Sequence, residues 1–229
     1  MENLVVLMAG GLGSRLRPLT DTCPKPMLKV RGQPILEGIL RSFVSHGFRR
    51  FAISVNYLGD QIRDHFGDGA GFGAEITYLW DTVRMGTAGA LGLLLEMPAD
   101  PIFVMNGDVI AEVNFADMLR FHEHRRAALT IAAHERSWRS PYGLVEFDGF
   151  QVTGIREKPE LRNFINAGIY VLSPETLGYI QKGKALDMPD LILDLLRREK
   201  HVAAFPIWGT WLDIGTPEAL ELAERELRR

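Results

Sequence analysis

A buried strand that runs directly into a glycine cluster constrains this chain more than any other feature. Leu4-Val5-Val6-Leu7-Met8 is continuously apolar and partly β-branched, and Ala9-Gly10-Gly11-Leu12-Gly13-Ser14 follows at once. An uninterrupted apolar strand is covered on both faces, as in a parallel α/β sheet, whereas a half-exposed antiparallel strand would alternate. Three glycines at its carboxyl end allow close backbone approach and expose N–H donors to an anion. Arg15 and Lys25 lie in the same loop, among Pro18, Pro24 and Pro26, and can neutralise phosphate charge. The loop is not a Walker loop, because no Gly-Lys-Ser/Thr follows. Nor is it the dinucleotide fingerprint: the third glycine is absent, and Pro18 disfavours a helix through that point.

Strand and helix alternate through the first half. A helical stripe follows Pro34, with Ile35, Ile39, Leu40, Phe43 and Val44 on one side. Strands are predicted over 51–55, 76–80 and 102–105, and helices over 58–66 and 86–97. The strand at 102–105 ends in Asn106-Gly107-Asp108. This spacing predicts a parallel sheet with right-handed crossovers. From Ala127 the rhythm changes to short strands over 129–132, 144–147, 154–156 and 168–172. Ser173-Pro174-Glu175 then reads as a helix start: a serine cap, proline in the first turn and an acid. Thr216-Pro217-Glu218 repeats the device and opens a final helix whose apolar residues are Leu220, Leu222, Ala223 and Leu227. A length of 229 residues suits one sizeable α/β domain. Residues 1–126 read as its mainly nucleotide-binding half, and 127–229 as a mixed half that covers a second ligand.

Composition excludes several classes. Twenty-six basic against 29 acidic residues give a net charge of −3, without the basic excess of a nucleic-acid binder. No apolar run approaches the ~18 residues of a membrane span. The opening Met1-Glu2-Asn3 lacks a basic secretory region. A single cysteine, Cys23, precludes an intramolecular disulfide framework and fits a reducing cytoplasm; nothing marks it as a nucleophile. His122 and His124 stand two apart on a helix and point away from each other, so they make a poor metal pair. Trp80, Trp138, Trp208 and Trp211 read as packing residues. Arg197, Arg198 and Lys200 read as a solvated helix end.

The run GGLGSRLRPLTDTCPKPMLKV, residues 10–30, resembles the signature of the sugar-1-phosphate nucleotidyltransferases, the nucleotide-sugar pyrophosphorylases. Their pattern is G-x-G-x-R-L-x-P-L-T followed by P-K-P-(M/L)-(L/V)-x-(V/I). Further family-like blocks occur in the same order: Gly86-Thr87-Ala88-Gly89-Ala90, Asn106-Gly107-Asp108, Tyr142-Gly143, Glu157-Lys158-Pro159, Asn166-Ala167-Gly168-Ile169-Tyr170 and Trp211-Leu212-Asp213-Ile214-Gly215. The resemblance implies a Rossmann-like nucleotidyltransferase fold: a mixed, mainly parallel central sheet flanked by helices in a single domain. It also implies an enzyme that joins a nucleotide to a sugar phosphate and releases pyrophosphate.

On that resemblance Arg15, Lys25 and Asp108 are the catalytic candidates. Ala9, Gly10, Gly11, Gly13, Ser14, Gly86, Thr87, Ala88 and Asn106 would border the nucleotide. A helix starting at Gly86 would turn its N–H groups to the base or ribose, and tight helix–sheet packing is the competing explanation. Asp108 and Asp213, supplied from distant parts of the chain, would bind Mg²⁺, which takes a few hard oxygens plus phosphate and water. Tyr142, Gly143, Glu157, Lys158, Asn166 and Gly168 would border the sugar phosphate. There Lys158 would hold the phosphate, Glu157 would accept from ring hydroxyls, and Asn166 would accept and donate; a plain turn is the alternative at Tyr142-Gly143. Met27-Leu28-Lys29-Val30 and Val55-Asn56-Tyr57 look most like short bacterial guanylyltransferases that make GDP-sugars for surface glycans, so GTP is the expected nucleotide. Uridylyl- and thymidylyltransferases acting on other sugar-1-phosphates, such as cell-wall amino sugars, share most of the blocks. An inactive nucleotide-sugar sensor would be expected to have lost Arg15, Lys25 or an aspartate. The oligomeric state stays open, a homodimer among the options.

Overall fold

A computed structural model describes residues 1–81 and 83–226. In chain order the elements are β1 (Leu4–Met8), β2 (Lys29–Val30), β3 (Gln33–Pro34), α1 (Ile35–Ser45), β4 (Arg50–Val55), α2 (Gly59–Phe66), β5 (Glu75–Trp80) and α3 (Gly86–Gly89). Then come β6 (Ile102–Asn106), β7 (Val109–Ala111), α4 (Phe115–Arg125), β8 (Leu129–Arg139), β9 (Leu144–Asp148), β10 (Gln151–Arg156) and β11 (Glu160–Leu172). The chain continues through α5 (Pro174–Leu177), α6 (Met188–Arg197), β12 (Val202–Ile207), β13 (Trp211–Asp213) and α7 (Pro217–Glu226).

Seven strands form the central sheet in the order β12-β8-β11-β6-β1-β4-β5. β1 runs parallel to β4 and β6, β4 to β5, and β12 to β8. β11 alone is antiparallel, to both β6 and β8. The sheet is thus mixed and mainly parallel, as expected. The apolar run of β1 has a direct cause: Val5 and Leu7 enter a core beneath α1 and α4, while Val6 enters a second core against α6. Phe43 of α1 stacks on Phe115 of α4 with ring centroids 3.7 Å apart and meets Phe48 and Phe103 edge-on. Replacing Phe43 by Ala would cost about 3–5 kcal/mol, the range for truncating a buried aromatic.

Past the end of β6, two short strands carry the chain across the carboxyl ends of the parallel strands. β13 pairs with β7, placing Asp213 opposite Val109. Beyond the sheet, the outer halves of β8 and β11 project as an arm that carries the β9–β10 hairpin.

Three expectations need correction. The helix expected over 86–97 is a single turn, α3, followed by a 3₁₀ turn over Ala90–Leu93. The N–H groups of Ala88 and Gly89 both bond Leu186 O at 2.9 Å, and a Cβ on Gly89 would stand 2.7 Å from Lys184 O. The 184–186 segment thus supplies the acceptor for N–H groups of the first turn, which a helix leaves unpaired, and the chain leaves helical geometry at Leu94, ψ 127°. The strand expected over 168–172 begins at Glu160; the apolar residues of its outer half, Leu161, Phe164 and Ile165, do not alternate, so the sequence does not mark it as strand. The tryptophans are not all packing residues: Trp80, Trp138 and Trp208 are exposed, and only Trp211 is half-buried, donating from Nε1 to Ala167 O at 2.9 Å. In the last helix Ala223 is buried and Leu222 is exposed; Leu227 lies outside the described residues. No helix among those residues is long and apolar enough to cross a membrane.

Candidate active site

The glycine loop is held by its surroundings. Ala9 N donates to Ser54 O at 2.9 Å, extending the parallel pairing one step past β1. Gly10 lies between Asn56 and Asp81: a Cβ there would stand 3.4 Å from Asn56 Cβ and 3.5 Å from Asp81 Oδ2. Gly13 has φ +62°, and its Cβ would meet Thr20 Cγ2 at 2.9 Å and Lys25 Cβ at 3.0 Å. Only glycine satisfies both the left-handed backbone and that contact. Gly13 O accepts from Thr20 Oγ1 at 2.8 Å and from Leu16 N at 2.9 Å, closing the 3₁₀ turn Ser14–Leu16. Leu16 is buried, so the turn that carries Arg15 is anchored in the core.

Four charges converge beside this loop. Lys25, nearly buried, forms an ion pair with Asp108, and its Nζ lies 3.8 Å from Asp213 Oδ1. Asp108 follows β6, and its carbonyl accepts from Ile214 N at 3.0 Å, so the β7–β13 ribbon brings the two aspartates together. A Cβ on Gly215 would stand 3.5 Å from both Arg15 Nη2 and Asp213 Oδ1, which places Arg15 at the same point. Burial holds the Asp213 carboxyl above its ordinary range, and the Asp108 charge adds to this; Lys25 and Arg15 oppose the shift. Two crowded, partly desolvated carboxylates repel each other and gain from added positive charge.

Two cavities meet at this cluster and share Thr87, Asn106, Asp108 and Asp187. The larger, about 550 Å³, lies between Gly10-Gly11 and Arg84, Gly86 and Thr87. Asp81 lines it. Burial pushes this carboxyl up; Oδ2 accepts from Ser54 Oγ at 3.4 Å, and Oδ1 is buried with no partner among the described residues. The second cavity, about 410 Å³, is lined by Arg15, Asn166, Gly168, Tyr170, Trp211 and Asp213. Here the β11–β8 register slips between Asn166 and Tyr170, and Gly168 N donates to Asn166 Oδ1 at 3.0 Å. Gly168 has φ +72°, and a Cβ would stand 2.7 Å from Asn106 Nδ2, so only glycine brings this bend against Asn106. Burial pushes the Tyr170 hydroxyl pKa up to about 12. A third cavity, about 460 Å³ and more apolar, lies between α1 and β7 and is lined by none of the four charges.

The structure brings together Gly10, Gly11, Arg15, Lys25, Gly86, Thr87, Asn106, Asp108, Asn166, Gly168 and Asp213. Ala88 is fully buried, and the N–H groups of Thr87 and Ala88 are already engaged, by Asp187 Oδ1 at 3.0 Å and Leu186 O. Tyr142, Gly143, Glu157 and Lys158 lie outside both cavities, at the foot of the hairpin. A Cβ on Gly143 would meet Glu157 Oε2 at 2.6 Å, and Ser140 Oγ donates to Tyr142 O at 2.9 Å. Lys158 has φ +44°, uncommon for a non-glycine residue, and its carbonyl accepts from Arg139 Nε at 3.2 Å.

Sequence reasoning missed Asp81 and Asp187. Asp81 follows an apolar strand just as Asp108 does, and that shared position was the available signal. Asp187 occupies the N-cap of α6, but its Oδ1 accepts from Thr87 N instead of from its own helix. No residue spacing reveals that diversion.

A glycine-bordered cavity at the carboxyl ends of parallel strands, with two cations and two carboxylates beside it, is the arrangement in which α/β folds place ligand sites. Residues 4–229 match the family described as nucleotidyl transferase, and the chain belongs to that family. It is 34% identical over 221 residues to the mannose-1-phosphate guanylyltransferase catalytic subunit beta of Danio rerio, covering 93% of this chain and 61% of that protein. It is 32% identical over 225 residues to the mannose-1-phosphate guanyltransferase of Saccharomyces cerevisiae, with the same coverages. The chain thus spans 61% of the length of these curated relatives. Among solved structures, HddC from Yersinia pseudotuberculosis complexed with GMP-PN aligns with a TM-score of 0.75 at 25% identity, covering 98% of this chain and 99% of that one. A Bacillus anthracis structure assigned as a glucose-1-phosphate thymidylyltransferase, 24% identical with a TM-score of 0.78, shares the fold.

Proposed function

We propose that the chain transfers guanosine monophosphate from GTP to mannose-1-phosphate, giving a GDP-sugar and pyrophosphate. The observation that carries this reading is the convergence of Arg15, Lys25, Asp108 and Asp213 where the two cavities meet. A sugar-phosphate oxygen attacks the α-phosphorus in line; the new P–O bond forms as the bond to the β-phosphate oxygen breaks, and pyrophosphate carries away the electron pair. The nucleophile is already an anion at neutral pH, so no general base is needed. Catalysis rests on positioning and charge neutralisation. Arg15 takes the departing pyrophosphate, Lys25 the α-phosphate region, and Lys158 the sugar phosphate. Asn166 and Glu157 bond ring hydroxyls.

The Asp108–Asp213 pair fits Mg²⁺: both are hard-oxygen donors, and each is drawn to the same cation, Lys25. No group of three or more metal-ligating side chains occurs among the described residues, so substrate phosphate and water would complete the shell. When bound, the ion supplies further neutralisation of the triphosphate.

Asp81 supports guanine. Its under-bonded carboxylate can accept from the adjacent N1–H and 2-amino donors of guanine. Uracil and thymine present one N–H flanked by two carbonyls, which a carboxylate repels. The names of the fish and yeast relatives point to the same base and to mannose-1-phosphate. A cytoplasmic location fits the single Cys23. The test is pyrophosphate release across four NTPs and a panel of sugar-1-phosphates, with Mg²⁺. Release is expected only with both substrates, fastest with GTP and mannose-1-phosphate, and Asp81→Asn should erase much of the preference for GTP over UTP. Hydrolysis of NTP alone at the same rate would sink the reading.

A further inference from the structure

Where the arm leaves the body, a stack of two rings joins three strands. His134 of β8 stands opposite Ile207 in the last pair that β8 makes with β12, and opposite Ile165 of β11. Beyond it β8 continues paired with β11 as the root of the arm. The His134 ring stacks on the Trp211 indole, with centroids 5.6 Å apart and planes 24° from parallel. Trp211 opens β13, two residues before Asp213, and its Nε1 donates to Ala167 O at 2.9 Å. Ala167 lies in the register slip between Asn166 and Tyr170, beside the Gly168 bend against Asn106. Trp211, Asn166, Ala167 and Gly168 all line the second cavity. His134 stands behind Trp211, one ring away.

The contact works through a plane and not through polarity. Trp211 Nε1 is committed to Ala167, and His134 Nδ1 is buried with no partner among the described residues. An unpaired buried nitrogen is a cost that a phenyl ring of similar shape does not carry. What the position supplies is a flat face for the indole, the arrangement that offset aromatic pairs favour. His134 also borders a separate cavity of about 290 Å³ with Glu135, Ser137 and Arg162. A shorter side chain would leave the indole facing open space there, because packed neighbours close such a gap only in part. A second ring contact near the arm root, Phe164 edge-on to Trp208 at 6.0 Å, is exposed.

We propose that His134 is a positioning residue for the sugar-phosphate half of the site. By fixing the Trp211 indole it fixes the bend at Ala167-Gly168, and with it one wall of the second cavity. The identity of the ligand rests on the transferase reading above; the stack itself does not. The glycine loop has its own anchors in Thr20 and Leu16, and Asp213 keeps its pairing with Val109. Loss of the ring should therefore fall on the sugar phosphate and spare the nucleotide.

Two measurements test it, with far-UV circular dichroism as the check on folding. In pyrophosphate-release assays, His134→Ala should raise the KM for mannose-1-phosphate about tenfold, with kcat and the KM for GTP within about twofold of wild type. His134→Leu, which keeps the bulk and loses the plane, should raise the same KM, and His134→Phe should restore it. Replacing the exposed Trp80, Trp138 and Trp208 by Phe leaves Trp211 as the sole tryptophan, whose emission reports the stack without any turnover. There His134→Ala should shift the emission to the red and raise its quenching by acrylamide, and His134→Phe should do neither. Folded His134→Ala and His134→Leu enzymes with an unchanged mannose-1-phosphate KM overturn the proposal, as does an equal rise in both KM values. Failure of His134→Phe to restore the KM overturns it too, because the nitrogen would then carry the role. If no pair of substrates turns over in the wild type, the transferase reading falls by itself. The emission then decides alone: unchanged Trp211 emission in folded His134→Ala overturns the proposal, and a red shift restored by His134→Phe upholds the positioning of Trp211.

Discussion

Gly13 and Gly143 stand beside residues assigned to the two substrates, yet their surroundings differ. Around Gly13, Thr20 and Leu16 bond the carbonyl, Lys25 packs against the backbone, and Leu16 is sunk in the main core. Around Gly143, the Glu157 carboxylate closes on the backbone, but the ribbon that carries both has no core beneath it. The charges beside Gly13 are thus preorganised by folding itself, a condition for electrostatic catalysis without reorganisation. The arm's groups depend on a ribbon, so their placement is softer. Side chains on the body should control the rate of the chemical step. Those on the arm should control how well the sugar phosphate is held.

Substitutions at the aspartates test the rigid side of that contrast most severely. Asp108→Asn and Asp213→Asn should each lower kcat/KM by about 1000-fold, roughly 4 kcal/mol of transition-state stabilisation, with the fold intact. Glu157→Gln on the arm should cost no more than about tenfold. Equal losses at Asp213 and Glu157 in pyrophosphate-release assays would erase the distinction.

Arg15 should follow. Arg15→Ala should depress kcat about 100-fold while leaving the KM for the sugar phosphate nearly unchanged. Arg15→Lys should also be poor, because a point charge cannot grip two phosphate oxygens in a fork.

Stability should separate the regions by pH. His122 lies in the body, its Nε2 3.0 Å from Ser173 Oγ and its Nδ1 2.8 Å from Thr130 Oγ1. Ser173 Oγ donates to Ala127 O, so Nε2–H is the donor to it and Nδ1 accepts from Thr130. Burial lowers the His122 pKa to about 4. The unfolded chain, with an ordinary value near 6.5, binds more protons between those two values, so stability is full above pH 6.5 and falls toward pH 4. Urea unfolding should show a loss on the order of 1–2 kcal/mol from pH 7 to pH 5. His122→Gln should flatten that slope, and hairpin variants should leave it alone.

The body was far more legible in the sequence than the arm, for physical reasons. A strand buried on both faces writes itself as Leu4-Val5-Val6-Leu7-Met8, and a left-handed turn against Lys25 writes itself as Gly13. Asp108 announces itself by ending such a strand. Asp213 does not: its approach to Asp108 depends on the β7–β13 register, visible beforehand only through family resemblance. The helix expected over 86–97 stops early because the backbone turns out of helical geometry at Leu94, ψ 127°, just past Gly92, which packs against Lys182. In residues 160–165 of β11 the apolar side chains Leu161, Phe164 and Ile165 fall out of a period of two, so no alternation marked them as strand. Asp81 shares with Asp108 a place after a strand, but its neighbours, Ser54 of β4 and Gly10 of the loop, come from distant parts of the chain.

Lys158 offers the finest test of the contrast, because it is the arm's only cation assigned to a substrate. It lies outside the cavities and is held through its own carbonyl, which accepts from Arg139 Nε, and by its left-handed backbone. A cation on a ribbon with no core beneath it adds binding energy to ground state and transition state alike, which appears in KM and not in kcat. Lys158→Ala should therefore raise the KM for the sugar phosphate about fivefold, roughly 1 kcal/mol, with kcat and the KM for GTP within about twofold of wild type. Lys158→Arg should restore most of the loss, since a soft support tolerates the longer side chain. Lys158→Gly would relieve the φ penalty while removing the charge, and should match Lys158→Ala if charge is what matters. A Lys158→Ala enzyme with weakened GTP binding and unchanged sugar-phosphate KM would put that lysine on the nucleotide, and the arm would then belong to the same rigid machinery as the loop.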